Sequence, residues 1–141
     1  MKAATLACLF LLLSSAAALA ATAYQGKDYS GKYQCTGKDA HNGDYKAVVD
    51  LTLDKAHSTG ANASYRFTMR VEGYGLYRGA AVGNGEMLAI TFANEDPKTK
   101  DYGTGIAQVT VGKDGKMSFD KFYFEPDYKG GNHGTEHCIR N

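Results

Sequence analysis

Strict two-residue alternation is the feature that most limits what this chain can fold into. In Tyr65-Arg66-Phe67-Thr68-Met69-Arg70-Val71-Glu72, Tyr65, Phe67, Met69 and Val71 fall on one side and the polar residues on the other. Successive side chains of a strand point to opposite faces, so this segment makes a strand with one buried and one wet face. Ala47, Val49, Leu51 and Leu53 repeat the pattern. No stretch carries the capped i, i+3, i+4, i+7 apolar stripe of a helix. Strands are predicted over 30–37, 45–54, 63–72, 74–82, 86–94, 103–112, 116–125 and 134–140. Between them lie turn signals: Asp114-Gly115, Gly83-Asn84-Gly85, His41-Asn42-Gly43 and Ser58-Thr59-Gly60. Both prolines, Pro97 and Pro126, fall in loops or at strand ends, where no ladder donor is lost. Short strands joined mostly by tight turns predict an all-β fold. It is an antiparallel up-and-down meander of about eight strands, closing into a small barrel and so removing its edges.

Residues 1–23 read as a secretory signal. Lys2 is the positive start, Leu6 to Leu13 the apolar core, and Ala18-Leu19-Ala20 and Ala21-Thr22-Ala23 are small-x-small cleavage sites. Cleavage is expected after Ala20 or Ala23, leaving 24–141 as a single β-barrel domain, exported to the periplasm or the exterior. Losing Lys2 leaves 15 basic residues against 15 acidic ones, a formally neutral protein. That balance argues against a nucleic-acid partner and gives no electrostatic reason to sit on an anionic membrane. No membrane insertion of the mature chain is expected.

Cys8 leaves with the signal, and Cys35 and Cys138 remain. In an oxidising compartment two such residues are expected to form a disulfide, the alternative being two buried free thiols. If they face each other on antiparallel strands, their numbers sum to 173, and so do those of Tyr33 and Arg140. The first and last strands would then be neighbours. Tyr33 and Arg140 would form a barrel-closure pair with a cation–π contact, and Gly37 and Glu136 the next pair along.

Gly31-Lys32-Tyr33, opening the first strand, resembles the Gly-x-Trp start of lipocalin-like barrels, with Tyr in place of Trp; Arg140 matches the Arg that packs over that aromatic. More broadly the chain resembles small exported bacterial proteins of lipocalin-like or avidin-like (calycin-type) form and undefined activity. The matching pieces are Gly31–Tyr33, Tyr77-Arg78-Gly79-Ala80, Gly85-Glu86-Met87-Leu88-Ala89, Asp114-Gly115 and Gly134-Thr135-Glu136. The resemblance implies a small closed barrel.

Motifs for chemistry are weak. His133-Gly134-Thr135-Glu136-His137 has the letters of a zinc-peptidase motif, but that motif works on a helix, and at strand spacing His133 and Glu136 point to opposite faces. No metal or cofactor is expected. There is no Gly-x-Ser-x-Gly, and no thiol remains once the cysteines pair, so no catalytic residue is assigned and an enzyme has no motif support. The 94–101 loop carries Glu95, Asp96 and Asp101, with two lysines offsetting their charge; Lys98, Lys100 and Tyr102 form a candidate binding loop. Ten tyrosines and no tryptophan suggest aromatics at a mouth or in a lumen, with Tyr65, Phe67 and Tyr77 the candidates. The leading expectation is a non-catalytic binding protein for a small molecule or a protein partner. The alternative is a secreted or periplasmic inhibitor of an enzyme such as lysozyme.

Overall fold

The computed structural model describes residues 22–141, so the expected signal segment up to Ala21 lies outside the described residues. Eight strands follow in chain order: β1 (Gly31–Asp39), β2 (Gly43–Leu53), β3 (Asn62–Val71), β4 (Gly75–Asn84), β5 (Met87–Asn94), β6 (Tyr102–Val111), β7 (Met117–Glu125) and β8 (Asn132–Arg140). Each pairs antiparallel with the next, and β8 pairs with β1, closing the barrel. The expected meander is the fold found. Four ends extend two residues beyond the sequence reading, β1 to Asp39, β2 from Gly43, β4 to Asn84 and β8 from Asn132, and the others agree within one residue. β1 continues to Asp39 and β8 begins at Asn132, because inward polar side chains extend both strands where apolar alternation has stopped.

Cys35 and Cys138 are directly opposed and bonded, and the same register sets Tyr33 opposite Arg140 and Gly37 opposite Glu136. The expected cation–π contact gives way to another arrangement. Arg140 extends over Gly31, where a Cβ would come within 2.8 Å of its Cδ. It donates to the Ser30 carbonyl at 3.3 Å and meets Met117 Sδ at 3.1 Å. The Tyr33 ring packs on Phe119 instead, their centroids 5.1 Å apart.

The barrel is filled rather than hollow. Val49, Leu51, Phe67, Leu88, Ile90 and Phe119 are fully buried in its middle and lower half. Each such side chain contributes about 1.5–3 kcal/mol relative to exposure. The lower end is sealed by the segment before β1. Tyr29 donates its hydroxyl to the Gly85 carbonyl at 2.9 Å, and Tyr33 donates to the Tyr29 carbonyl at 2.7 Å. Tyr65 reaches the same segment, donating to the Lys27 carbonyl at 3.3 Å and accepting from the Tyr29 amide at 3.2 Å. Among the described residues, the upper end has no such plug.

Candidate functional site: an acidic, aromatic mouth

At the upper end the inward side chains of β1, β2, β4, β7 and β8 turn polar. The loops after β1, β3, β5 and β7 surround a funnel floored by Tyr45, Tyr77, Tyr123 and four carboxylates: Asp39, Asp101, Glu125 and Glu136. These large groups fit because facing positions are glycine. A Cβ on Gly37 would lie 2.2 Å from the Tyr45 ring, and one on Gly134 would lie 2.3 Å from the Tyr123 hydroxyl. On β6, Gly103 clears Phe92 and the Glu125 stem, and Gly105 clears the Lys121 stem.

The deepest polar group is a buried ion pair. Lys121 Nζ lies 2.5 Å from Glu136 Oε2, and both side chains are essentially inaccessible. The ammonium also lies 5.2–5.5 Å from the ring centroids of Phe67, Phe92 and Tyr123, close enough for cation–π attraction. Tyr45 donates to the other Glu136 oxygen at 2.7 Å. The two charges are in ion contact without an aligned hydrogen bond between Nζ and Oε2, and removal of one partner strands the other in a desolvated site.

Asp39 lies higher and is fully occupied. Its Oδ1 accepts from the amides of His41 and Asn42 at 2.9 and 2.7 Å, which folds the β1–β2 turn. Its Oδ2 accepts from Tyr123 at 2.9 Å and from Asn132 Nδ2 at 2.6 Å. Burial works to raise its pKa. The bonds from Asn132, the Asn42 amide, Tyr123 and the His41 amide together outweigh that and hold it below the usual carboxylate value.

Glu125 and Asp101 are different, because each keeps acceptor capacity. Glu125 Oε2 accepts from Asn132 Nδ2 at 2.5 Å. Asp101 Oδ2 accepts from Tyr77 at 2.6 Å, while its Oδ1 is buried with no hydrogen-bond partner among the described residues. Burial, with the neighbouring charges of Asp101 and Asp39, pushes the Glu125 pKa up to about 8 despite the bond from Asn132. Burial and the adjacent carboxylates also raise Tyr77 and Tyr123, so both remain hydrogen-bond donors through the neutral range.

These groups share one cavity of about 400 Å³, open solvent side included, with Met69, Val71, Tyr74, Phe92 and Tyr128 on its walls. No His, Cys, Ser or Thr is among its lining residues. Chemically the mouth offers acceptors, aromatic faces and a cluster of carboxylates, one of them with a raised pKa.

The candidates from the sequence are scattered around this site. Tyr77 is in the mouth, Phe67 fills the middle under Lys121, and Tyr65 lies at the sealed end. In the candidate loop, Lys98 and Lys100 are exposed, and Tyr102 donates to the Asp127 carboxylate on the rim. Asp101, the last residue of that loop, turns inward. In the His133–His137 stretch, Glu136 is buried and both histidines are exposed, His137 bonding Asp120 at 2.7 Å. Sequence reasoning missed Asp39, Lys121, Glu125 and Asn132 as site residues. The signal was present: once Cys35 and Cys138 face inward, period two carries Asp39, Glu136 and Asn132 inward with them.

Fold and site together define an eight-stranded antiparallel barrel, plugged at one end and carrying an acidic aromatic mouth at the other. Compared with family models, curated proteins and solved structures, the chain matches none.

Proposed function

We propose that this is an exported, non-catalytic binding protein of calycin-like build that takes a small molecule in its mouth. One observation carries the reading: polar groups converge at the bottom of an aromatic funnel at one end only, with a buried Asp101 oxygen left unpartnered. Binding sites in barrels are apolar clefts with a few placed polar groups, and the mouth is where a filled barrel can still supply one. The test is an NMR screen of fragments balanced between cationic, neutral and anionic compounds. Shifts confined to amides of the four mouth loops and upper strand ends support the reading. Shifts confined to the outer face, or none, overturn it.

A second reading rests on the β5–β6 loop. Asn94 accepts from the Asp96 amide, Asp96 from the Lys98 amide, and Arg78 pairs with Glu95 at 2.5 Å, so the loop is braced and presents Lys98 and Lys100 to solvent. Such a loop suits the acidic cleft of an enzyme such as lysozyme. Inhibition lost in Lys98→Ala/Lys100→Ala would support it; no inhibition by the native protein would dismiss it.

A further inference from the structure

Resting on the mouth-binding reading, we infer that the ligand is a small primary amine carrying an apolar or aromatic body. Its ammonium would enter between Asp101 and Glu125 while the body lies along the rings of the funnel.

The charge inventory points to a cation. Glu136 is neutralised by Lys121 at 2.5 Å, and Asp39 is saturated by four donors. Asp101 and Glu125 remain, facing a floor whose other groups are Tyr45 from β2, Tyr77 from β4, Tyr123 from β7 and Asn132 from β8. None of these supplies a positive charge to Asp101 or Glu125. A buried acceptor without a donor is costly, and Asp101 Oδ1 is such an acceptor. An ammonium brings three donors and no acceptor, which is the complement of this floor.

Size and walls narrow the class. The cavity as a whole admits about two waters, enough for an ammonium group and too little for a trimethylammonium head. A bare calcium ion prefers six to eight oxygens, and the groups here with capacity to spare are two carboxylates and the Asn132 side-chain oxygen. The aromatic walls of Tyr74, Phe92 and Tyr128 would add cation–π and apolar contact, which a hydrated metal ion would not use. With the raised pKa of Glu125, an entering ammonium displaces the proton held there, so binding strengthens as pH rises towards 8.

The experiment titrates the intact protein, by NMR and calorimetry, with 2-phenylethylamine, 2-phenylethanol, 3-phenylpropionate and the N-trimethylated amine. The expected result is that the primary amine shifts the Asn132 side-chain amide and the Gly103 and Gly134 backbone amides. It should bind at least tenfold tighter than the other three. Its affinity should rise more than tenfold from pH 6 to pH 8.5, with a buffer-dependent heat reporting proton release. Asp101→Asn and Glu125→Gln, which keep shape and the Tyr77 and Asn132 contacts, should each weaken it at least fivefold. If the alcohol or the acid binds the mouth as tightly as the amine, the amine assignment falls and the mouth-binding reading stands. If the amine leaves the mouth amides unmoved, or binds equally well to both variants, the assignment is overturned; the balanced fragment screen then decides separately whether the mouth binds anything.

Discussion

The two ends of this barrel are built from the same aromatic residue and put it to opposite uses. At the sealed end the hydroxyls of Tyr29, Tyr33 and Tyr65 all donate to backbone carbonyls. At the mouth Tyr45, Tyr77 and Tyr123 all donate to carboxylates. A carbonyl asks only for a donor, and a tyrosine that supplies one becomes part of the plug. A buried carboxylate brings charge as well, and a neutral tyrosine cannot cancel it. The partner of the hydroxyl, rather than the tyrosine, separates structure from site.

The seam between β1 and β8 belongs to both ends, and breaking it should have the largest effect. Cys35 and Cys138 lie between the Tyr33 pair of the sealed half and the Gly37 pair of the mouth. They close a loop with a sequence separation of 103, worth about 4–5 kcal/mol of denatured-state entropy. Replacing both with alanine should lower stability by about that much in urea denaturation, with one cooperative transition. Two separate transitions would mean that the halves are independent units.

Lys121 marks the border between the halves and gives the next test. Lys121→Ala leaves Glu136 buried without its cation and should cost about 3–5 kcal/mol. Replacing both partners together, Lys121→Met with Glu136→Leu, should recover most of that loss, because well-packed apolar side chains often match or exceed a buried pair. If the double variant is no more stable than Lys121→Ala, the pair does more than fill space. It would then belong to the site rather than to the core beneath it.

Much of the fold was legible and little of the site, for one physical reason. Period two is read from apolar residues, and it worked on β3, where Tyr65, Phe67, Met69 and Val71 are all buried. On β7 the same logic is ambiguous. Phe119 and Tyr123 share a phase with Lys121 and Glu125 and point inward, while Phe122 and Phe124 take the other phase and stand about half exposed. Hydrophobicity alone would have turned that strand either way. The inward charges contradict the usual pattern, and contradictions of this kind gather where function is carried. The cysteine register gave the missing phase for β1 and β8, and each strand pairing passes it to the next.

Removing single hydroxyls separates the ends more gently. Tyr33→Phe and Tyr77→Phe each delete one buried hydrogen bond and should cost about 0.5–1.5 kcal/mol. Their other consequences should diverge. Tyr33→Phe should leave ligand shifts at the mouth unchanged. Tyr77→Phe frees the second oxygen of Asp101 and should alter both binding and its pH profile. Equal effects on binding would erase the distinction between plug and site.

The smallest effect is a slope. Burial and the neighbouring carboxylates push the Glu125 pKa up to about 8 from an ordinary value of 4.5, so the folded state holds its proton more tightly than the unfolded chain does. Between those values the native state binds more protons, and stability must fall as pH rises. Asp39 has the opposite sign: its pKa is lowered, so its contribution is present above the unfolded value and lost as pH falls through the folded one. Thermal melts should therefore show a maximum near pH 5, with Tm falling by several degrees towards pH 9; about 4 °C corresponds to 1 kcal/mol in a domain of this size. Glu125→Gln should flatten the alkaline decline and leave the acid one, because glutamine keeps the Asn132 neighbour without a proton to lose. Tyr33→Phe, at the sealed end, should change the height of the curve and neither slope. An alkaline decline that survives Glu125→Gln would place the titrating group outside the mouth and remove the electrostatic difference between the two ends.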